Sequence, residues 1–425
     1  MVRLRLGVCY DEATMTLLAT FVVLAFVYSL VSRRLDATIV TGPIVFTLAG
    51  ITMQAIAPVG FSVGDNTKIF LHLAEIGLML LLFSAAARAD LSVMWHIRYL
   101  PARLLAIGLP LTIAAGALAA CLMFPDLGLW EAAILAAVLA PTDAGLGQVI
   151  VTNPHTPLKV RKALNVEAGL NDGLAVPFLL FFIALAAANE GPPATLGQIF
   201  VEQLVYGVAV GAVIGLGGGW LLGWASRRQW TSESLKPVGV VALPVFCLLV
   251  SGAVAASMFI AAFVAGLAVQ KGYKAAGKLS VDFGETWGHL VNLSVFFLFG
   301  ILVAINWNKI DLAIAAYAIL SLTVVRMLPV AISLIGSGLS LPTVVFIGWF
   351  GPRGLASIVL GLVYLESEID LPGGPTIRLA VLATVLLSIF AHGLSARPGV
   401  AIYCRKIDSL GQDTPERRDA DGSSD

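Results

Sequence analysis

Long apolar runs alternate with short polar gaps along nearly the whole chain. The runs are about 18 to 28 residues, enough for a helix to cross a roughly 30 Å hydrocarbon layer. Thirteen can be drawn, at 14–32, 37–58, 68–88, 99–124, 130–152, 162–189, 197–225, 237–254, 256–271, 286–305, 311–336, 341–365 and 376–404. The pattern predicts an all-α polytopic membrane protein with thirteen transmembrane helices. The decisive cut is near Ala255, because the stretch from Val238 to Val269 reads either as two short helices or as one very long one. One long helix would move the C-terminus to the other side of the membrane.

Basic residues choose between the two, since positive charge collects in cytoplasmic connections. The odd-numbered connections carry fourteen Lys and Arg, among them Arg33, Arg34, Arg227, Arg228 and Lys271, whereas the even-numbered ones carry Lys68, Lys309 and Arg378. Arg3 and Arg5 run against this alternation, which stays in phase only if the chain breaks at 255. Thirteen spans are therefore preferred to twelve, with the N-terminus outside and the C-terminus cytoplasmic. The run from Met15 to Val31 is too long for a signal-peptide core and has no small-residue cleavage site after it, so it is expected to remain as a span. Residues 405–425 are almost without apolar side chains and are expected to form a disordered cytoplasmic tail, which leaves function to be built inside the membrane.

Composition narrows the class. Hydrophobic residues make up 58% and charged residues 12%, with a mean hydropathy of +0.92; soluble domains carry about a quarter charged residues, so a water-soluble reading is excluded. Lys plus Arg and Asp plus Glu are 26 each, leaving no surplus positive surface for nucleic acid. Cys9, Cys121, Cys247 and Cys404 have neither disulfide-frame nor zinc-ligand spacing and read as small apolar residues. No phosphate-binding loop, nucleophile elbow or metalloprotease motif is present, which argues against nucleotide-driven pumps and membrane proteases and points to a secondary transporter without a cofactor.

The chemistry is carried by charges inside the predicted spans: Glu75, Asp143, Glu167, Asp172, Arg326 and Arg353. Each costs on the order of 3 kcal/mol at the bilayer centre even on a lenient scale, so six together need partners, water or a bound ion. The fifth run reads LAAVLAPTDAGLGQVIV, where Pro141, Gly145 and Gly147 predict a helix broken around Thr142 and Asp143. Broken helices at membrane depth line cavities and offer carbonyls and half-helix ends to small ions. In the sixth run Glu167 and Asn171 share a face, while Glu167 and Asp172 lie about 140° apart at 100° per residue, so the two carboxylates face different partners. Asp172 is expected to face Asp143, and Glu167 to reach an arginine, with Arg353 the candidate. The twelfth run holds a second interruption, GWFGPRGLAS, around Arg353. Spans five and twelve are seven apart, so two six-span units, 1–6 and 8–13, would run in opposite senses as an inverted repeat with two crossed, interrupted helices. Interruptions at corresponding positions mark a transporter's central site, and Asp143 and Arg353 would offset the half-helix end charges there.

Gly207, Gly211, Gly215, Gly219 and Gly223 recur every four residues and predict close helix contact, within the protomer rather than at a dimer interface. The histidines at 72, 96, 155, 289 and 392 are scattered; those at 72, 289 and 392 fall in or near spans, where each could sense pH although a lone helical histidine is more often a packing residue, and none is assigned a role.

Five stretches, AEIGLMLLLFSAAARADL at 74–91, APTDAGLG at 140–147, NVEAGLNDG at 165–173, FIAAFVAGLAV at 259–269 and GWFGPRGLAS at 348–357, resemble the monovalent cation:proton antiporter superfamily in its NhaP-like sodium/proton branch. The resemblance implies a homodimer in the cell membrane, working by elevator-like movement of a core bundle. It implies dimerisation segments at 1–98 (spans 1–3) and 190–310 (a linker helix and the rest of spans 7–10), and core segments at 99–189 (spans 4–6) and 311–404 (spans 11–13). By position, Thr142, Asp143 and Asp172 resemble the ligands of the transported cation, with Asp172 the carboxylate that exchanges cation for proton and Asn171 its neighbour. Glu167 with Arg353 resembles a structural ion pair, and Glu75 an accessory acid. Asn171 in place of a second Asp resembles electroneutral members. Ala168 and Ala144 stand where many members have Ser and Pro, which leaves sodium, lithium and potassium open, with sodium first. Membrane lipid, the cation and the proton are the expected partners, and pH homeostasis the expected role. A potassium-preferring antiporter, a sodium-coupled organic solute symporter, a channel and a scaffold are the competing readings.

Overall fold

The computed structural model describes residues 12–35, 38–56, 75–77, 79–80, 82–87, 99–143, 153, 155–188, 193–366, 371–410 and 415–416. Their regular structure is helical throughout. In chain order the helices are α1 (Glu12–Leu35), α2 (Gly42–Ile56), α3 (Tyr99–Arg103), α4 (Leu109–Met123), α5 (Leu129–Leu139), α6 (Leu158–Ala188), α7 (Pro193–Arg227) and α8 (Lys236–Ala253). There follow α9 (Met258–Gly272), α10 (Ala276–Asn306), α11 (Leu312–Leu322), α12 (Val324–Ser333), α13 (Leu341–Trp349), α14 (Leu355–Glu366) and α15 (Gly374–Ser409). A π-helical turn, Leu104–Gly108, joins α3 to α4, and residues 75–77, 79–80 and 82–87 are helical too. Among the described residues eight helical stretches are long and apolar enough to cross a membrane. Leu18, Val22, Phe26 and Leu30 lie exposed on α1, an apolar outer face suited to lipid rather than water.

The break expected at Ala255 is present. Ala255 has φ +53°, a left-handed conformation that an L-residue adopts at a cost, and it separates the end of α8 from Met258. Ser257 caps α9 by accepting the Ile260 N–H at 3.4 Å, and Asp311 caps α11 by accepting that of Ile314 at 2.8 Å. The eleventh run is itself divided: Thr323, at φ −104° and ψ −95°, separates α11 from α12 and brings Arg326 into the first turn of α12.

Close packing follows the small residues. The glycine stripe of α7 lies on α9 within the chain: added Cβ atoms at Gly211, Gly215 and Gly219 would collide with the backbone at Ala261, Ala265 and Val269. Gly50 of α2 and Gly300 of α10 meet each other's helix backbones in the same way. Glu131 ties the start of α5 to the start of α15, one carboxylate oxygen accepting the Gly128 N–H and the other the Gly373 N–H, both at 2.7 Å.

The tail departs from expectation. α15 runs to Ser409, so residues 405–409 are helical rather than disordered. Further on, Glu416 is buried, with its Oε1 accepting hydrogen bonds from Ser340 N–H (2.8 Å), Ser340 Oγ (2.6 Å) and Thr343 Oγ1 (2.8 Å) at the start of α13. Lys159 Nζ, in the first turn of α6, donates to the Pro415 carbonyl at 3.3 Å.

Candidate ion-binding site

Both interruptions are present and they interlock. After α5 ends at Leu139 the chain runs non-helically through Pro141, Thr142 and Asp143, and after α13 ends at Trp349 it does so from Phe350 to Gly354. Asp143 N–H donates to the Pro352 carbonyl at 2.7 Å, so the two segments touch backbone to backbone. Proline accounts for the first break, because Pro141 has no N–H to continue the helix; Gly351, Pro352 and Gly354 account for the second. Side chains at Gly351 and Gly354 would fall on the Arg326 guanidinium and the Asp143 carboxylate respectively and displace them.

Each exposed half-helix end is met by a charge from the other segment. Arg353 Nη1 donates to the carbonyls of Ala140 (2.5 Å) and Pro141 (2.9 Å), at the negative C-terminal end of α5. Asp143 Oδ2 accepts the Leu355 N–H at 2.9 Å, at the positive N-terminal end of α14. Arg353 is fully buried, which the two carbonyls and the neighbouring Glu167 make tolerable.

α6 supplies the second wall. Asn171 Nδ2 donates to Thr142 Oγ1 at 2.5 Å, which joins the middle of α6 to the first interruption. Thr142, Asn171 and Asp172 are buried, and Asp143 is the charged neighbour of Asp172. Among the described residues Asn171 Oδ1 and Asp172 Oδ1 have no hydrogen-bond partner. An unsatisfied buried acceptor is costly; a cation satisfies both oxygens, and a proton satisfies that of Asp172.

Sequence reasoning paired Glu167 with Arg353, and the structure corrects this. Arg326 Nη2 donates to Glu167 Oε1 at 2.6 Å, with both side chains almost wholly buried. Arg353 lies near enough to act on Glu167 electrostatically, but its hydrogen bonds go to α5. Asp143 also differs from a freely exchanging carboxylate, because one of its oxygens is held by α14. Glu75 is buried in the helical residues before α3. Ala144, Gly145 and Gly147 lie outside the described residues, as do His72, His96 and the side chain of His289.

His392, which nothing in its sequence surroundings singles out, sits beside the second interruption. Its Nε2 is 2.9 Å from the Trp349 carbonyl and its Nδ1 3.0 Å from Ser388 Oγ, and Ser388 Oγ accepts the Arg353 N–H at 2.6 Å. The only signal was its position in the last span, shared by many apolar neighbours.

A family model for the transmembrane region of sodium/hydrogen exchangers matches residues 21–401. The chain belongs to the sodium/hydrogen exchanger family. Among curated relatives it is 26% identical over 360 residues to "K(+)/H(+) antiporter NhaP" of Alkalimonas amylolytica, covering 82% of this chain and 60% of that one. It is 24% identical over 321 residues to "Na(+)/H(+) antiporter" of Schizosaccharomyces pombe, covering 68% of each. The chain spans about 60% of the length of the NhaP relatives it matches. Its fold is similar to that of the sodium proton antiporter MjNhaP1 from Methanocaldococcus jannaschii, with a TM-score of 0.75, 17% identity, and coverage of 93% and 98% of the two chains. As a member of this family the protein is a multi-pass membrane protein, and its helices have the length and apolarity that requires.

Proposed function

We propose that the protein is a secondary active antiporter that exchanges a monovalent cation, sodium first, for a proton. The observation that carries this reading is the pair of buried oxygens of Asn171 and Asp172, without a hydrogen-bond partner among the described residues, beside the two touching interruptions. Asp172 is the exchanging carboxylate, holding either a dehydrated cation or a proton. Thr142, Asn171 and Asp143 contribute oxygens or negative potential to the same cation. Glu167 with Arg326 and Arg353 with the end of α5 are the fixed frame around it.

Coupling follows from electrostatics. A site left empty and negatively charged is expensive to carry through a low-dielectric layer, so only the cation-bound or protonated core moves. One exchangeable carboxylate beside an asparagine gives one cation for one proton, an electroneutral cycle. In this proposal the chain crosses the membrane thirteen times as two inverted repeats, N-terminus outside and C-terminus cytoplasmic. It forms homodimers through 1–98 and 190–310, and moves the core of 99–189 and 311–404 as an elevator, in the service of pH homeostasis. Potassium is the alternative cation, supported by the names of the NhaP relatives.

The test is dissipation of an imposed proton gradient in proteoliposomes on adding NaCl, LiCl, KCl or choline chloride. Collapse of the gradient with at least one metal cation and none with choline is expected, and the effective cation names the substrate. No response to any of the three metals contradicts the proposal.

A further inference from the structure

Ser388, His392 and Ser395 are spaced four and three residues apart on α15, which puts them on one helix face. All three hold the interruption that follows α13. Ser388 Oγ accepts the Arg353 N–H at 2.6 Å, His392 Nε2 lies 2.9 Å from the Trp349 carbonyl, and Trp349 Nε1 donates to Ser395 Oγ at 3.0 Å. The Trp349 and His392 rings pack with centroids 5.1 Å apart. One helix thus holds Trp349, just before the non-helical segment, and Arg353 within it.

The hydrogen-bond directions select a tautomer. Ser388 Oγ uses a lone pair on Arg353 N–H, and its own hydrogen finds an acceptor in His392 Nδ1 at 3.0 Å. Nδ1 then carries no proton and Nε2 does, which supplies the donor that the Trp349 carbonyl faces. That carbonyl also receives the Gly351 N–H at 2.9 Å, and its second lone pair is what the imidazole fills. Each neutral tautomer sets one lone pair against a carbonyl, Nδ1 against Ser388 at 3.1 Å or Nε2 against Trp349 at 2.9 Å; the form protonated on Nε2 relieves the closer of the two and gains the Ser388 hydroxyl as donor to Nδ1.

We propose that His392 is a positioning residue for ion exchange: protonated on Nε2, it fixes the segment from Trp349 to Arg353. In doing so it sets the aim of the Arg353 guanidinium at the Ala140 and Pro141 carbonyls. It also sets the position of the Leu355 N–H that holds Asp143. His392 bonds to Trp349 and Ser388, and acts on the site through Arg353 and Asp143. This inference rests on the antiporter reading for its transport readout and is independent of that reading for its structural one.

The experiment compares wild type, His392→Leu, His392→Gln and Ser388→Ala reconstituted in proteoliposomes, with exchange rate measured against cation concentration. Hydrogen exchange of peptides spanning 349–356 is followed in the same proteins. Leucine keeps bulk and removes both hydrogen bonds, whereas glutamine can offer one donor and one acceptor. His392→Leu should raise the apparent KM about tenfold with a smaller change in maximal rate, the loss expected when its two hydrogen bonds are removed together. His392→Gln should recover most of that shift, Ser388→Ala should shift KM in the same direction, and exchange in 349–356 should speed up in the leucine variant and slow again in the glutamine one.

An unchanged KM in His392→Leu, or a maximal rate and thermal stability that fall together at constant KM, overturns the proposal. If the leucine variant does not fold, Ser388→Ala decides: wild-type KM and wild-type exchange in 349–356 overturn it. If wild type itself responds to no cation, the antiporter reading fails, and protection of 349–356 still decides whether His392 holds the interruption.

Discussion

Asp172, Asp143 and Glu167 surround the two interruptions but are held in three different ways, and each predicts a different mutant. Asp172 has a buried oxygen without a partner among the described residues, so Asp172→Asn should fold and lose cation-dependent proton movement down to the background of empty liposomes. Asp143 is a helix cap as well as a charge, and the two roles separate. Asp143→Asn keeps an acceptor for the Leu355 N–H and should mainly weaken cation affinity, whereas Asp143→Ala should in addition lower stability by about 1 kcal/mol, the usual worth of a cap. Glu167 pairs with Arg326, so Glu167→Gln leaves a buried charge uncompensated and should cost about 3–5 kcal/mol in thermal unfolding. The double variant with Arg326→Gln should lie closer to wild type than either single change. The sequence marked these acids because charge in an apolar run is conspicuous. It pointed to Arg353 where Arg326 is the partner, since both come from distant spans and the choice depends on how α12 and the second interruption pack.

At the scale of elements, breaks were legible where the residues themselves forbid a helix. Pro141 and the Gly-Pro-Arg-Gly run predict the two interruptions, and both are present. The break at Ala255 has no proline or glycine at the turn itself; it was legible through charge alternation among the connections, and the left-handed Ala255 confirms it. The division at Thr323 gave no signal, because nothing in SLTVVRMLP separates a kinked helix from two helices before packing is known. The glycine stripe was legible as close contact, and its partner is α9. Gly215→Leu should therefore separate α7 from α9, where an added Cβ already meets the Ala265 backbone. The expected readout is a lower unfolding temperature in detergent, with a larger loss than for Gly217→Leu on the same helix, where an added Cβ meets nothing within 4 Å.

Across the whole molecule, the alternation of apolar and polar stretches gave the all-helical membrane class, whereas the docking of the tail was hidden, because a single Glu in a polar segment carries no pattern. Burial works against ionisation of Glu416, and the hydrogen bonds from Ser340 and Thr343 outweigh it, holding this carboxyl below the usual glutamate value of 4.5. Its folded value being depressed, its contribution to stability is present above that ordinary value and is lost as pH falls through the lower folded one. The difference in unfolding temperature between wild type and Glu416→Gln should be widest near neutral pH and should close in acid. In the proposed cycle, exchange rests on one carboxylate that cannot hold a cation and a proton at once. The most direct measurement is the apparent KM for the transported cation in proteoliposomes at a series of pH values. Competition at Asp172 predicts a KM that climbs as pH falls, approaching about tenfold per pH unit in the acid limit, with an unchanged maximal rate at saturating cation. A KM independent of pH, or exchange that persists at full rate in Asp172→Asn, would contradict it.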